Sequence, residues 1–151
     1  MLTLGVNPLS EVRASAALEA AGAWDAAPTE IPVAGARSAG LHFTYIRGGA
    51  AGAFDFQIQL SPYSVAALVP AGAQEWVVES VIDIGVIAAG VDTTNVHQRD
   101  LGTYTATGAA VEAFTFGPVV LDAAYERIRI DCRESGNAGA PGTLQVEMTL
   151  A

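Results

Sequence analysis

The sequence predicts an all-β domain, a two-sheet antiparallel sandwich or jelly roll of about eight strands, on three observations. Between Tyr125 and Arg133, and again between Leu144 and Leu150, polar and apolar residues alternate with the period that gives a strand one wet and one dry face. The same alternation runs through Leu41-Phe43-Tyr45 and Phe54-Phe56-Ile58-Leu60, with His42, Thr44, Asp55, Gln57 and Gln59 on the other side. Glycine, proline and serine clusters separate these runs, which is how an all-β chain punctuates its turns. A closed barrel of about eight strands meets the same spacing, because it too needs one inward face per strand.

In chain order, residues 1–12 read as an N-terminal arm with Pro8 as a stop, and residues 13–151 as a single β-sandwich domain. Burial of Leu2, Leu4 and Val6 on a neighbouring subunit offsets the cost of ordering such an arm. Ser10–Ala23 is open between two readings, since Ser10 can cap an alanine-rich helix while Val12, Ala14, Ala16 and Leu18 keep a strand's period. Pro28 opens a turn, and Ile31–Val33 is a short strand before Gly35. Leu41–Ile46 and Phe54–Ser61 read as a hairpin around Gly48-Gly49-Ala50-Ala51-Gly52, aromatic side inward and carboxamide side outward. Ser61-Pro62-Tyr63 ends that strand, and Ala66–Ala73 is a loop or a single helical turn.

Trp76–Val78 and Val81–Ala88 form a strand pair or one long bent strand, with the change at Glu79 or Ser80. Asp92–Gly102 is a polar surface connection in which Thr93-Thr94-Asn95 has no independent reason to be regular. Thr103–Thr107 is a polar edge strand, and Phe114–Leu121 a strand bent at Gly117-Pro118. The final two runs pair antiparallel across a glycine-rich turn. The expected core includes Tyr45, Phe54, Phe56, Ile128, Ile130 and Val146.

A length of 151 residues suits one domain with a sizeable core. Only 15% of residues are charged against 51% hydrophobic, below the usual share of charge, so partners cover the surface or something other than charge keeps it in solution. All seven basic residues are arginine. Lysine protects edge strands and is depleted from interfaces, where arginine is at home; a high-GC genome produces the same bias. The net charge of −9 excludes a general nucleic-acid binder, which needs a basic face. Arg127, Arg129 and Arg133 come nearest to a cluster; the first two alternate onto the same strand face as Asp131, so cross-strand pairing with acidic residues is expected. Cys132, the only cysteine, excludes an internal disulfide and reads as a small buried hydrophobe. The Met1–Gly5 start lacks the features of a signal peptide, and Val81–Val91, broken by Asp83, Gly85 and Gly90, is too short to span a bilayer.

The chemical inventory assigns no catalytic, cofactor-binding or metal residue. His42, His97 and Cys132 lack the close ligand spacing of zinc motifs, and Asp83, Asp92, Asp100, Asp122 and Asp131 form no compact calcium loop. Ser61, Ser64 and Ser80 sit in no nucleophile elbow. The Gly48-Gly49 and Gly136–Gly142 runs lack a phosphate-loop lysine and are turns. Of the aromatics Trp24, Trp76, Tyr63 and Tyr104, the two tryptophans are expected to fill the ends of the core or an interface; Tyr63 and Trp76 exposed together in a groove would instead offer a platform for sugars.

The succession Gly22-Ala23-Trp24-Asp25, a short strand to Gly35, Leu41-His42-Phe43-Thr44-Tyr45-Ile46-Arg47-Gly48, Phe54–Ser61, Trp76, then Glu126-Arg127-Ile128-Arg129-Ile130 leading through Gly136 to Pro141-Gly142-Thr143-Leu144 resembles small β-sandwich virion proteins of tailed phages. The likeness runs from about residue 15 to the end; Pro62–Ala73 departs from it, with an apolar stretch in place of a charged or glycine-rich hairpin. The resemblance implies a non-enzymatic structural protein of the virion, a capsid decoration (cement) protein that forms a homo-oligomer, a trimer, and contacts the major capsid protein. A tail or neck accessory protein and a carbohydrate-binding sandwich module are the alternatives. No cofactor, nucleic acid or membrane partner is expected, with glycans as the one further ligand class left open.

Overall fold

A chain that alternates dry and wet residues can bury its dry faces only by laying one sheet on another. The computed structural model, which describes residues 9–88, 90, 93–96, 103–106, 108–121 and 125–151, has that form. The first sheet is ordered β1-β12-β3-β10, from Ser10–Ala17, Thr143–Leu150, Ser38–Ile46 and Val111–Val120. The second is ordered β2-β11-β5-β6, from Glu30–Pro32, Arg127–Glu134, Phe54–Ser61 and Val77–Asp83. Two short ladders join β4 (Ala51–Gly52) to β7 (Ile87–Ala88) and β8 (Thr93–Val96) to β9 (Thr103–Ala106). All these ladders are antiparallel.

The strand order is that of a jelly roll. β5 pairs with β6, β3 with β10, β2 with β11 and β1 with β12, so the chain is one long hairpin with its tip at β5–β6. Rolling it up adds the β12–β3 and β11–β5 ladders that complete the two sheets. The sheets stay separate, with β1, β10, β2 and β6 at the edges.

Two sequence expectations about pairing are corrected by this topology. β3 and β5 are not a hairpin, and β11 and β12 are not neighbours; each pair is split between the two sheets. The reason is packing. Phe43 and Tyr45 on β3 need a dry layer over them, and β5 in the opposite sheet supplies it: Phe43 lies 4.4 Å from Phe56 and 5.5 Å from Phe54, ring centre to ring centre, and Tyr45 5.1 Å from Phe54. Phe116 of β10 closes the cluster edge-on to Phe43 at 5.5 Å. The inward side of β3, β5, β10, β11 and β12 is as the alternation requires, and Tyr45, Phe54, Phe56, Ile128, Ile130 and Val146 are all buried.

Ser10–Ala17 is a strand, since pairing with β12 overrides the helical preference of its alanines. Its two register irregularities leave Val12 as its one buried side chain. β6 is continuous through Ser80, with Glu79 the extra residue where its register on β5 shifts. Thr93–Asn95, expected to be irregular, lies in β8; pairing with β9 gives it the reason that the run alone lacked. His97 and the rest of residues 97–102 lie outside the described residues, as do residues 1–8 of the expected arm. In β10 the register shifts between Phe116 and Val119, at Gly117-Pro118 as the sequence suggests.

The glycine-rich link between β11 and β12 is organised by one carboxylate. Glu134, fully buried, accepts from the Tyr45 hydroxyl at 2.6 Å and Gly142 N–H at 2.8 Å on Oε1, and from the N–H groups of Ala53, Gly136 and Asn137 at 2.9, 3.0 and 3.1 Å on Oε2. One side chain thus ties β3 of the first sheet to the end of β11 in the second. The ring of Tyr45 fills the space that a Cβ would need at Gly142 and its hydroxyl the space at Gly52, which is why both links carry glycine.

Candidate functional site

The outer face of the second sheet gathers most of the chemistry-bearing side chains. Alternation sends Arg127, Arg129, Asp131 and Arg133 of β11 to this side, opposite Ser61, Gln59, Gln57 and Asp55 of β5 in register. Arg127 is almost wholly buried and donates to Glu30 at 2.7 Å, Glu75 at 2.8 Å and the Tyr63 carbonyl at 2.6 Å. Burial alone lowers its pKa, but the two carboxylates outweigh that and raise it, so the guanidinium is firmly charged. Arg129 donates to Gln59, whose own amide donates to Gln57 at 2.7 Å. Arg133 pairs with Asp55 at 2.9 Å. The expected cross-strand pairing with acids therefore holds for Arg127, which meets Glu30 on the neighbouring β2 as well as Glu75 on the loop before β6, and for Arg133, while Arg129 meets a carboxamide.

The tryptophans lie over this lattice. Arg127 and Arg129 hold their guanidinium carbons 4.8 and 4.2 Å from the Trp76 ring centre, and Arg133 sits 4.4 Å from that of Trp24. Both tryptophans and Tyr63 are half-buried, so they cap a polar sheet face rather than the ends of the core. Two buried oxygens in the lattice have no hydrogen-bond partner, Oδ1 of Asp55 and Oδ1 of Asp131. Burial and the neighbouring Asp25 raise the pKa of Asp131 against the opposing pull of backbone N–H groups and Arg129.

A depression of about 310 Å³ opens between β1 and the Asp25–Thr29 segment. Its floor is Val12 and Ile130, and two of its charged groups hold each other: Arg13 grips Asp25 through Nε at 2.8 Å and Nη2 at 3.1 Å and also donates to the carbonyls of Ala16, Ala17 and Leu144. These contacts hold the two sheet edges together and leave no pair of convergent groups poised for proton transfer.

His42 points away from the core, between Thr115 at 3.2 Å and Thr149 at 3.3 Å on the outer face of the first sheet, whereas Cys132 is buried in the second. Burial, followed by Asp25, holds the Cys132 thiol well above its ordinary pKa, as suits a packing residue. No group of three or more histidine, cysteine, aspartate or glutamate side chains that could hold a metal occurs among the described residues. Nor is any described helix long and apolar enough to cross a membrane.

The feature that sequence reading did not single out is apolar. Among the described residues, six of the ten exposed large hydrophobics, Val65, Leu68, Val77, Val78, Val81 and Val86, fall between residues 65 and 86, on the β5–β6 loop, β6 and the turn after it. The signal was present in the sequence as doubled valines in a weakly alternating run. It could not be read as surface without knowing that β6 lies at an edge. No family model, no curated protein and no solved structure matches this chain.

Proposed function

We propose that this chain is a non-enzymatic structural protein of a virion, a capsid decoration protein that stabilises the shell by contacts with itself and with the major capsid protein. The observation that carries the reading is the apolar strip around β6. A free surface gains nothing from three exposed valines on one edge strand, whereas a docking surface gains the burial of each methyl group. Two further features support it. The jelly roll is a double layer in which the buried side-chain polar atoms of the described residues are hydrogen-bonded within the fold, apart from Oδ1 of Asp55 and of Asp131, which suits a surface that works by shape and contact, as a cement must. The low share of charged residues, 15%, and the absence of lysine suit a surface that is largely covered.

The sugar-platform alternative finds less support, because the Trp76 ring already carries two guanidinium contacts. The test is electron cryomicroscopy of intact particles from the source of this gene, with and without the gene. Density for the jelly roll on the outer shell, and shells that rupture at lower temperature when the gene is deleted, are the expected results. Density at the tail or neck would move the protein to an accessory role there, and purified particles lacking the chain altogether would overturn the proposal.

A further inference from the structure

The depression beside β1 is lined by one cation, Arg13, and two carboxylates, Asp25 and Glu19, and only Glu19 is uncommitted. A guanidinium has five N–H donors, and each of those on Arg13 is placed: Nε on Asp25, Nη1 on the carbonyls of Ala16 and Leu144, Nη2 on Asp25 and the carbonyl of Ala17. The guanidinium thus has no donor left for an anion entering the depression. Asp25 is held on both oxygens by the same guanidinium. Glu19 differs. It stands just past the end of β1, its exposed side chain caps none of the N–H groups of the short helical turn Ala20–Gly22, and it has no hydrogen-bond or ion-pair partner among the described residues.

The rest of the lining is mostly apolar. Val12 and Ile130, each 1% exposed, make the floor, and Ala16, Ala27 and Pro28 are among the walls. These small walls leave a space of about 310 Å³, near the lower end of ligand sites, roughly 300–1,000 Å³. A free carboxylate beside an apolar floor fits a cation carried on an alkyl stem, whose methylenes cover the floor while the charge stays at the wet rim. The net charge of −9 draws cations toward the protein from a distance. Lysine meets this description better than arginine. A guanidinium favours an aromatic face, and Arg127, Arg129 and Arg133 of this fold all lie on tryptophan rings, whereas no aromatic residue lines the depression. This chain contains no lysine, so a second copy cannot supply one.

We infer that the depression between β1 and the Asp25–Thr29 segment is a docking site for a lysine side chain of a different protein, with Val12 and Ile130 under its methylenes and Glu19 facing its ammonium. The site belongs to the isolated chain and does not depend on the particle reading. It is tested on the purified full-length protein by amide NMR titration with the blocked peptide Gly-Gly-Lys-Gly-Gly. Shifts confined to residues 12–19 and 25–29 are expected, with a dissociation constant of about 1 mM, as suits a single side chain. Norleucine in place of the lysine keeps the stem without the charge and is expected to weaken binding about fivefold; alanine, which keeps neither, is expected to weaken it by at least about tenfold. Glu19→Gln is expected to weaken the lysine peptide about fivefold and to leave the norleucine peptide and the unfolding midpoint unchanged. The absence of localised shifts overturns the inference, as does equal binding of the lysine and norleucine peptides, or full affinity for the lysine peptide in Glu19→Gln. Tighter binding of an arginine peptide would overturn the lysine assignment and admit a second copy as the occupant, and tighter binding of the free diamine cadaverine would give the site to a small amine instead. A chain that binds the lysine peptide yet is absent from particles would count against the proposed function alone.

Discussion

At the scale of single residues, Glu134 is the position on which the two sheets most depend for their connection. Its carboxylate accepts from one hydroxyl and four backbone N–H groups, and an amide in its place must present its own donors to some of them. Glu134→Gln is expected to lower the unfolding free energy by about 3 kcal/mol, the cost of leaving buried groups unsatisfied, measured by urea denaturation. Tyr45→Phe removes only one of the five donors and is expected to cost about 1 kcal/mol. Burial and the hydrogen bond to Glu134 also hold the Tyr45 hydroxyl well above its ordinary pKa of 10.0. The unfolded chain loses that proton first, so stability is full below pH 10.0 and falls as the pH rises beyond it. In Tyr45→Phe this part of the alkaline loss is absent, which parallel denaturation curves on either side of the tyrosine range will show.

Asp131 gives the complementary case. With its pKa raised above 3.8 by burial and by Asp25, the folded state holds the proton more tightly than the unfolded chain, and its contribution is lost as the pH rises through the folded value. Asp131→Asn is therefore expected to stabilise the protein at pH 7, by roughly 1 kcal/mol if the amide finds a partner for the orphaned oxygen position. Below the ordinary aspartate range the gain disappears. Equal stabilisation at both pH values would contradict this account.

At the scale of elements, β11 explains itself only through its neighbours. Its outward residues are three arginines and an aspartate, a pattern legible in the sequence, but their partners come from β5, β2 and the loop carrying Tyr63 and Glu75. Arg127→Lys is not conservative here, because one ammonium cannot serve acceptors on several sides and lie over Trp76. A loss of about 2–4 kcal/mol is expected, since two carboxylates are left short of their partner, together with a change in Trp76 fluorescence. β6 shows the opposite limit. Its strand character was legible in Trp76–Ala88, yet its place at a sheet edge depends on which strands flank it, and short-range pattern carries no such information.

At the scale of the whole molecule, the aromatic cluster joins the layers. Phe43 touches Phe54 and Phe56 of β5 in the opposite sheet and Phe116 of β10 at the edge of its own. Phe43→Ala is expected to cost about 3–5 kcal/mol, close to the total stability of many domains of this size, and thermal unfolding will report it. The jelly roll also pairs β1 with β12, the first described strand with the last. Such non-local pairing makes loop closure expensive before contacts repay it, so refolding in about milliseconds to seconds is expected by stopped-flow fluorescence, rather than microseconds.

What the sequence alone determined is the side of each strand that faces inward: Leu41, Phe43 and Tyr45, Phe54 to Leu60, Ile128 to Cys132 and Leu144 to Met148 all lie where their alternation requires, because the period of a strand is a local property of the backbone. The tertiary structure alone decided which strands are neighbours. The links at residues 47–53 and 135–142 are long enough either to turn back within one sheet or to cross to the other, and the choice went to the crossing because only that lays one aromatic face upon another. The same decision, made far from β6 in sequence, left its valines exposed on an edge strand and so created the surface on which the proposed function rests.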